Sequence, residues 1–258
     1  MIKNMLKRAI LNILDGFGYD LVKPDKRLVT NGLPADFEQS TVETYHKIKA
    51  YTMTTPERIA ALCNAVHYLV KNNIQGDFVE CGVWRGGSTM AAIDTLIKAS
   101  DTTRNIFLYD TFEGMSEPTE HDKVFTGTAA GELMNSSDRD DPTSVWCYSA
   151  LEEVQQNVQS LKYPDGLVKY VKGKVEDTIP GTIPGKIALL RLDTDWYEST
   201  AHELKHLYPL LVPGGVIIID DYGHWEGARK AVDEYISSNR LPLLLNRIDY
   251  TGRIGVKY

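Results

Sequence analysis

Apolar residues recur along the chain in two alternating patterns from residue 54 onward. Spacings of three and four residues are typical of helices with one apolar face, and short unbroken apolar runs are typical of buried strands. The first pattern predicts helices over residues 54–72, 88–99, 149–161, 197–211 and 227–238. The second predicts strands over residues 77–81, 105–110, 167–173, 186–193 and 215–221. Strands that alternate with helices in this way predict an α/β fold with a doubly wound, mostly parallel sheet.

Two later stretches depart from this alternation. Residues 241–258 contain two β-like runs on either side of a polar turn, 249–252, which predicts a hairpin and an antiparallel C-terminal strand. Residues 113–148 contain Gly, Pro, Ser, Thr and Asp throughout and show no firm periodicity. So long a stretch inside a compact domain is usually a functional lid or a disordered loop, and we predict a lid.

Residues 1–53 are predicted to be an N-terminal helical segment that precedes one domain over residues 54–258. The start, MIKNMLKRAILNIL, carries apolar residues at helical spacing, but Asn4 and Asn12 interrupt the run and no cleavage pattern follows. This argues against a signal peptide and against a membrane span. Such a helix can lie on a membrane surface. Packing on its own domain or on a second subunit is the simpler interpretation, so we expect substrate or oligomer contacts from this segment and a homo-oligomer.

Composition limits the classes of ligand. The chain has 258 residues, a formal net charge of -7 and a pI near 5.4. Nucleic-acid binding is not expected, because phosphate binding needs clustered Lys and Arg, and neutral or cationic small molecules fit this charge better. Cys63, Cys81 and Cys147 are far apart and show no CxxC spacing, so we expect no disulfide framework, no zinc ribbon and a reducing, cytoplasmic location.

A glycine-rich turn, CGVWRGGS, follows the first predicted strand. It lacks the GxGxxG spacing of a dinucleotide site, and Ser88 stands where a phosphate loop needs lysine. Glu80 precedes the turn, and Asp110 ends the second strand, where a carboxylate typically accepts hydrogen bonds from ribose hydroxyls. A positively charged nucleoside without phosphates fits such a site, and S-adenosylmethionine is one. The alternative is that the glycines only let the helix pack on the strand.

Carboxylates also follow two later strands. Asp193 and Asp195 follow IALLRL, and Asp220 and Asp221 follow GGVIII. If these strands are neighbours in a parallel sheet, the carboxylates converge, and two unit charges ~4 Å apart repel by ~4 kcal/mol at an effective dielectric of 20. A divalent cation would relieve this repulsion, and oxygen ligands favour Mg²⁺. The alternative is that some of these aspartates cap the following helix.

Five motifs taken in order resemble the macrocin O-methyltransferase (TylF-type) family of class I S-adenosylmethionine-dependent enzymes. They are ECGVWRGGS, YDTFEGM, VKGKVEDTIP, LRLDTDWYEST and IIIDDYGHWEGARKAVDEY, and the resemblance runs from about residue 50 to the C-terminus. It implies a Rossmann-like class I methyltransferase fold. It also implies Mg²⁺-dependent transfer of a methyl group to a sugar hydroxyl, with a glycosylated natural product or another small-molecule saccharide as the acceptor.

The resemblance further implies roles for individual residues. Asp193, Asp220 and Asp221 are implied as metal ligands. Asp195 is implied as the base, with Asp193 as the alternative. The implied contacts to the methyl donor come from Met53, Glu80, Gly82, Ser88, Asp110, Val175 and Glu176, the last two near the adenine.

Three other functions are weighed against this one. A Mg²⁺-dependent O-methyltransferase of catechols or other small diols would use similar chemistry, and a narrow aromatic acceptor pocket would favour it. HELKH at residues 202–206 matches the HExxH pattern of zinc hydrolases, but the predicted helix places Leu204 and Leu207 opposite both histidines, which we therefore expect to be solvated. A binding protein without turnover is disfavoured by the acidic residues at both strand ends.

Overall fold

The computed structural model describes residues 29–30, 32–139, 141 and 144–258. The chain divides into two compact units, Met1–Gln39 and Ser40–Tyr258. In the first unit, the described residues form a short antiparallel pair of strands, β1 (Val29–Thr30) and β2 (Leu33–Pro34). The helix predicted over residues 1–14 lies outside the described residues.

The second unit is built on a seven-stranded sheet. Its strands are β3 (Asp77–Cys81), β4 (Ile106–Asp110), β5 (Val168–Lys172), β6 (Ile187–Leu192), β7 (Leu211–Ile219), β8 (Asn246–Arg247) and β9 (Arg253–Val256). Their order across the sheet is β5-β4-β3-β6-β7-β9-β8. Strands β3 to β7 are parallel, and β9 pairs antiparallel with both β7 and β8. This confirms the predicted α/β fold with a mostly parallel sheet and an antiparallel C-terminal strand.

Helices connect the strands. They are α1 (Gln39–Ile48), α2 (Pro56–Lys71), α3 (Gly87–Lys98), α4 (Ala130–Ser136), α5 (Leu151–Gln159), α6 (Val175–Thr178), α7 (Tyr197–Leu207) and α8 (Glu226–Ser238), with 3-10 turns at Lys49–Tyr51 and Tyr208–Leu210. The start of α2 illustrates the local signals: Thr55 Oγ1 accepts a hydrogen bond from the amide of Arg58 at 3.3 Å, and Pro56 occupies the first turn.

Helices cover both faces of the sheet, which explains the unbroken apolar runs in the central strands. In β7, Val216 and Ile218 belong to the apolar cluster that includes α2 and α3. The alternating residues Ile217 and Ile219 belong to the cluster that includes α7 and α8. All six residues of β6 are buried for the same reason.

The join between α7 and β7 differs from the prediction. The helix ends at Leu207 rather than 211, because Pro209 lies in a 3-10 turn, and β7 begins at Leu211 rather than 215. The strand accommodates Pro213 and two glycines in an irregular stretch, since Ile187 pairs with Leu211 but Leu189 pairs with Val216. Proline and glycine residues that are typical of a turn thus lie within a strand.

Residues 113–148 contain α4 and fold against the starts of α7 and α8. Val124, Ala130 and Met134 pack with Trp196 and Trp225 in one apolar cluster. The buried Asp122 accepts hydrogen bonds from the amides of Tyr197 at 2.8 Å and Thr119 at 2.6 Å. Part of the segment therefore packs against the starts of α7 and α8. Its action as a lid remains a prediction.

Among the described residues, no helix combines the length and the hydropathy that crossing a bilayer requires. All three cysteines lie within these residues as free thiols.

We predict that Met134→Ala loosens the 113–148 segment without unfolding the domain. Met134 is buried against Trp196 and Trp225. Truncating a buried methionine to alanine typically lowers the free energy of unfolding by about 2–5 kcal/mol. Here we expect the loss to affect the local stability of the 113–148 segment. Limited proteolysis should cleave within 113–148 faster than in the wild type, while the thermal midpoint of the domain changes little. The control is Leu133→Ala, a half-buried neighbour, and equal cleavage rates for the two variants would contradict the packing role.

Candidate active site

A cavity of about 420 Å³ opens at the carboxyl ends of the parallel strands. The turn after β3 and the residues that follow β4, β6 and β7 form its wall. Strand order reverses between β3 and β6, since β4 and β5 continue to one side and β7 to the other. Doubly wound sheets bind ligands at this switch point, so the cavity is the candidate active site.

Two glycines let the chain close tightly around one side of the cavity. Gly82 follows β3 with a φ of +80°, and a Cβ there would collide with the carbonyl oxygen of Asp193. A Cβ at Gly87 would collide with the carbonyl oxygen of Tyr51. Side chains at these positions would push apart the segments that carry Met53, the glycine turn and Asp193. The glycines therefore do more than let α3 pack on the sheet.

Three carboxylates meet on the cavity wall. Asp193 and Asp195 follow β6, Asp221 follows β7, and one oxygen of each lies within 4.8 Å of the others. We call these residues the acidic group. Asp195 has a φ of +64°, in the left-handed region that aspartate tolerates better than most residues. Backbone held in this region is common at functional sites, because the surroundings must fix it.

Burial raises the pKa of all three carboxyl groups. The pKa of Asp193 rises to about 6, although the charge of Arg191 acts in the opposite direction. The pKa of Asp195 rises to about 7, with repulsion from Asp193 adding to burial. Burial and the charges of Asp195 and Asp193 raise the pKa of Asp221 well above its ordinary value. Near neutral pH the acidic group therefore holds protons, or a cation takes their place.

Asp220 is not a member of the acidic group, because two arginines hold its carboxylate. Its Oδ1 accepts a hydrogen bond from Arg191 Nη2 at 2.6 Å, and its Oδ2 pairs with Arg58. Arg191 Nη1 lies 2.7 Å from oxygens of both Glu80 and Asp193. Burial alone would lower the pKa of Arg191, but these carboxylates raise it well above its ordinary value. The guanidinium thus stays charged and links the ends of β3, β6 and β7.

The cavity brings together most of the residues singled out from the sequence. Its wall includes Met53, Gly82, Ser88, Asp110, Val175, Glu176, Asp193, Asp195, Asp220 and Asp221. Glu80 lies outside this wall, because its carboxylate binds Arg191 and Thr89 instead. The three carboxylates that lie within 4.8 Å of one another include Asp195 and not Asp220, which the resemblance implies as a metal ligand.

Asp110 organises the glycine turn from the end of β4. Its Oδ2 accepts hydrogen bonds from the amides of Val83 and Trp84 at 2.7 and 3.1 Å. Its Oδ1 accepts one from the amide of Phe112 at 2.7 Å and lies 3.4 Å from the hydroxyl of Thr111. Burial raises the pKa of Asp110, and the three amides act against that rise. Asp110 therefore connects two walls of the cavity.

Comparison with known proteins supplies the identity. The model of the family described as macrocin-O-methyltransferase (TylF) matches residues 23–255. The chain belongs to this TylF family.

Similar members of the TylF family include two curated enzymes and a solved structure. The 8-demethyl-8-(2,3-dimethoxy-alpha-L-rhamnosyl)-tetracenomycin-C 4'-O-methyltransferase of Streptomyces olivaceus is 35% identical over 203 residues, 79% of this chain and 74% of that enzyme. The mycinamicin III 3''-O-methyltransferase of Micromonospora griseorubida is 31% identical over 250 residues, 96% of this chain and 93% of that enzyme. The structure of the O-methyltransferase NovP aligns with a TM-score of 0.69 and 32% identity, over 80% of this chain and 82% of that one.

Membership of the TylF family confirms the resemblance, the class I methyltransferase fold and O-methyltransferase activity.

The HELKH segment of α7 places the rings of His202 and His206 side by side, with centroids 4.5 Å apart, but Glu203 does not join them. Glu203 is buried and accepts a hydrogen bond from Thr194 at 3.0 Å. His202 Nε2 lies 2.8 Å from the carbonyl oxygen of Ile179, and His206 is half-buried. The expectation that Leu204 and Leu207 face the core is confirmed, whereas the histidines are only partly solvated.

Sequence reasoning missed both arginines of this TylF-family site. Arg191 is a charged residue inside the apolar run IALLRL, and buried arginine is almost always paired, so that signal was available. Arg58 gave none, because its partners Asp220 and Asp249 are distant in sequence and its helix reads as an ordinary amphipathic helix.

We predict that Asp195→Asn stabilises the metal-free protein at alkaline pH. A carboxyl group whose pKa is higher in the folded state contributes fully to folding only below its ordinary pKa of 3.8. It loses that contribution progressively as the pH rises to its folded pKa, here about 7. Above that pH the ionised group costs on the order of a few kcal/mol, whereas asparagine cannot ionise and tolerates the left-handed backbone. In EDTA, the variant should have the higher thermal midpoint at pH 8 and a smaller advantage at pH 5.

The matched control is Asp165→Asn, at an exposed position outside the cavity. It should change the midpoint equally little at both pH values. A gain for Asp195→Asn that is the same at pH 5 and pH 8 would contradict the repulsion within the acidic group.

Proposed function

We propose that this O-methyltransferase transfers the methyl group of S-adenosylmethionine to a sugar hydroxyl of a glycosylated natural product or related saccharide, with Mg²⁺ bound at the acidic group. The observation that carries the proposal is that the nucleoside side and the acidic side share one cavity at the switch point of the sheet. The named activities of the two curated relatives, on a rhamnosyl tetracenomycin and on a mycinamicin, support a glycosylated acceptor.

The donor fits the wall on the side of the glycine turn. Each carboxylate oxygen can accept two hydrogen bonds, and Oδ1 of Asp110 has one short partner and one long one. It can therefore still accept from a ribose hydroxyl. Val175 and Glu176 lie on the same wall, where an adenine would extend, and the positively charged sulfonium would lie towards the acidic group.

The acidic group fits a divalent cation. Its donors are carboxylate oxygens from two neighbouring strand ends, all within 4.8 Å, and burial together with repulsion among them raises their pKa values. Oxygen donors of this kind suit Mg²⁺. Bound there, Mg²⁺ would lower the pKa of an acceptor hydroxyl and fix its direction. Arginines contact both carboxylate oxygens of Asp220, whereas Arg191 contacts only Oδ2 of Asp193. We therefore assign Asp193 and Asp221 as ligands, and Asp220 as the anchor of both arginines in place of the ligand role implied by the resemblance.

The remaining chemistry falls to the residues of the chain. Asp195, with its pKa near 7, accepts the proton of the hydroxyl, and the oxygen attacks the methyl carbon as the carbon–sulfur bond breaks and its electron pair stays on sulfur. Asp193 is the alternative proton acceptor. The glycine contacts hold donor and acceptor walls together, and such alignment is worth ~7–11 kcal/mol in well-oriented reactions.

Acceptors as small as catechols are the second candidate. Such a substrate favours a narrow pocket closed by aromatic rings. Here Tyr250, which lines the cavity, exposes 49% of its surface, and Phe125, whose ring centroid lies 6.3 Å from that of Tyr250, exposes 60%. Rings this exposed do not close a narrow pocket, which favours a larger acceptor. A methyl-transfer screen over glycosides and catechols, with and without Mg²⁺, separates the two.

We predict opposite losses for two isosteric variants, Asp221→Asn and Asp110→Asn. Asp221→Asn should abolish the rise in thermal midpoint that Mg²⁺ produces and should abolish methyl transfer, while S-adenosylmethionine still binds in calorimetry. Asp110→Asn should weaken donor binding at least about tenfold, since hydrogen bonds to charged groups contribute about 1.5–3 kcal/mol, while the response to Mg²⁺ remains. Full activity of the wild type in EDTA would contradict the metal.

We also predict that Asp195→Asn lowers kcat about 100-fold or more, the usual contribution of a general base, with the KM for S-adenosylmethionine nearly unchanged. Rapid-quench measurement of a single turnover reports the chemical step directly. Asp193→Asn tests the alternative base, but its loss of Mg²⁺ binding should separate it from Asp195→Asn. Normal turnover of Asp195→Asn would exclude this residue as the base.

A further inference from the structure

A short connection between β6 and α7 carries Asp195. Only residues 193–196 lie between the strand and the helix, so they must turn the chain sharply. The amide of Trp196 donates to the carbonyl oxygen of Thr194 at 2.7 Å. Because Asp195 between them has a φ of +64°, this hydrogen bond closes a γ-turn of the rare, strained form. The conformation of Asp195 therefore depends on the contacts that hold the turn.

Glu203 holds this γ-turn from the buried side. It lies in the second turn of α7, and its Oε1 accepts a hydrogen bond from Thr194 Oγ1 at 3.0 Å. Ser199, one turn earlier on the helix, donates to the carbonyl oxygens of Thr194 at 3.3 Å and Trp196 at 3.1 Å. The indole of Trp196 donates to the carbonyl oxygen of Ser116 at 3.0 Å. The bond to Glu203 fixes the side chain that lies between the two aspartates of the connection.

Glu203 occupies a position where a polar side chain destabilises the fold. It is 0% exposed, and its helix neighbours Leu204 and Leu207 pack in an apolar cluster. Burial raises the pKa of Glu203 well above its ordinary value. Its Oε2 has no hydrogen-bond partner among the described residues, and the nearby Cys81 thiol is only a weak donor. Burying a polar atom in this way costs stability, so folding alone would favour an apolar side chain here.

We propose that Glu203 is a positioning residue for methyl transfer, which acts through Thr194 to hold the γ-turn that aims Asp195 at the other members of the acidic group. The inference rests on the proposed function, in which Asp195 accepts the proton. Glu203 lies outside the cavity wall and touches neither substrate. Its contribution is therefore geometric, and a neutral side chain with the same acceptor oxygen should supply it.

Three variants separate positioning from packing. Glu203→Met removes the acceptor oxygen and keeps an unbranched side chain of similar length, which adapts well to apolar surroundings. Glu203→Gln keeps Oε1 as an acceptor for the Thr194 hydroxyl. Glu198→Met is the matched control, because Glu198 is an exposed acid of the same helix and lies outside the cavity wall.

Hydrogen exchange of the Trp196 amide reports the state of the turn. The chain has four tryptophans, so selective ¹⁵N labelling of tryptophan gives a simple amide spectrum of the full chain. In Glu203→Met we expect this amide to exchange about two- to tenfold faster, which is the range that the loss of one hydrogen bond corresponds to. The Trp225 amide, which donates to the carbonyl oxygen of Asp221 at 3.0 Å, should keep its wild-type rate. Both amides should keep their rates in Glu203→Gln and Glu198→Met.

The rate of a single turnover reports the effect on the reaction. The acceptor panel begins with methyl α-L-rhamnoside, since rhamnose is the sugar named for one relative. Glu203→Met should lower this rate about 10- to 100-fold, because a displacement of about 1 Å can cost about 100-fold, while the KM for S-adenosylmethionine stays nearly unchanged. Its thermal midpoint should equal or exceed that of the wild type, since a buried polar atom without a partner is removed. Glu203→Gln should stay within about threefold of the wild-type rate, because the hydrogen bond remains.

The other end of the hydrogen bond gives an independent test. Thr194→Val removes the donor without altering Glu203, whereas Thr194→Ser keeps the hydroxyl and should recover most of the rate that the valine variant loses. The double variant Thr194→Val/Glu203→Met should lose no more than the larger single loss, because both changes remove the same interaction. Losses that multiply in the double variant overturn the inference, and so does equal loss in the serine and valine variants.

Two results for Glu203→Met also overturn the inference: wild-type turnover, and a wild-type exchange rate of the Trp196 amide. A loss in Glu203→Gln as large as that in Glu203→Met does the same. If Glu203→Met has a lower midpoint or does not fold, the Thr194 variants decide, and wild-type turnover of Thr194→Val overturns the inference.

Asp195→Asn in the same assay separates the inference from the proposed function. An inactive Asp195→Asn beside a fully active Glu203→Met refutes the inference and leaves the proposed function standing. Normal turnover of Asp195→Asn refutes the assigned base, and the positioning role falls with it. A wild type that methylates no hydroxyl of glycosides or catechols refutes the proposed function and the inference together.

Discussion

Negative charge concentrated at one end of the sheet is the constraint on which the site depends. Glu80, Asp193 and Asp220 surround Arg191: Glu80 lies in β3, Asp193 follows β6 and Asp220 follows β7. Without the guanidinium, these carboxylates on three adjacent strands would repel each other, and breaking a buried ion pair typically costs about 3–5 kcal/mol. Arg191 and Arg58 compensate Glu80 and Asp220, and Arg191 also contacts one oxygen of Asp193. A cation or protons must balance the charge that remains in the acidic group.

The parts of the fold that depend on local pattern were predictable from the sequence. Burial on both faces leaves unbroken apolar runs, and β6, observed at Ile187–Leu192, lies within the predicted 186–193. The antiparallel strand β9 followed from the hairpin pattern in the same way. The start of β7 was not predictable, because Pro213 and the glycines after it signal a turn wherever they occur, and only pairing with β6 and β9 keeps them in a strand.

The location of the candidate site was predictable from the sequence, but the pairing of its side chains was not. Strand ends carry Asp193, Asp195, Asp220 and Asp221, and topology alone brings these positions together. The partner of each carboxylate depends on side chains from helices and strands far away in sequence, such as Arg58. The packed fold decides which of these side chains lie close together, so a single sequence contains no local signal for the pairs. The ring contacts among Phe125, His224 and Tyr250 were not predictable for the same reason, since these residues come from three separate segments.

The different partners of Asp220 and Asp221 have a consequence for the effect of insertions and deletions near this site. The two residues are neighbours, yet Asp220 binds two arginines and Asp221 belongs to the acidic group. On one side β7 is aligned by β6, and on the other by β9, where Ile219 pairs with Arg253 and the Thr251 hydroxyl donates to the carbonyl oxygen of Asp220. A slip of one residue exchanges the two sides of a strand. A single-residue deletion in β7 would thus leave the acidic composition of the segment nearly intact while exchanging which carboxylate joins the acidic group, so the alignment of this strand sets the geometry of the site.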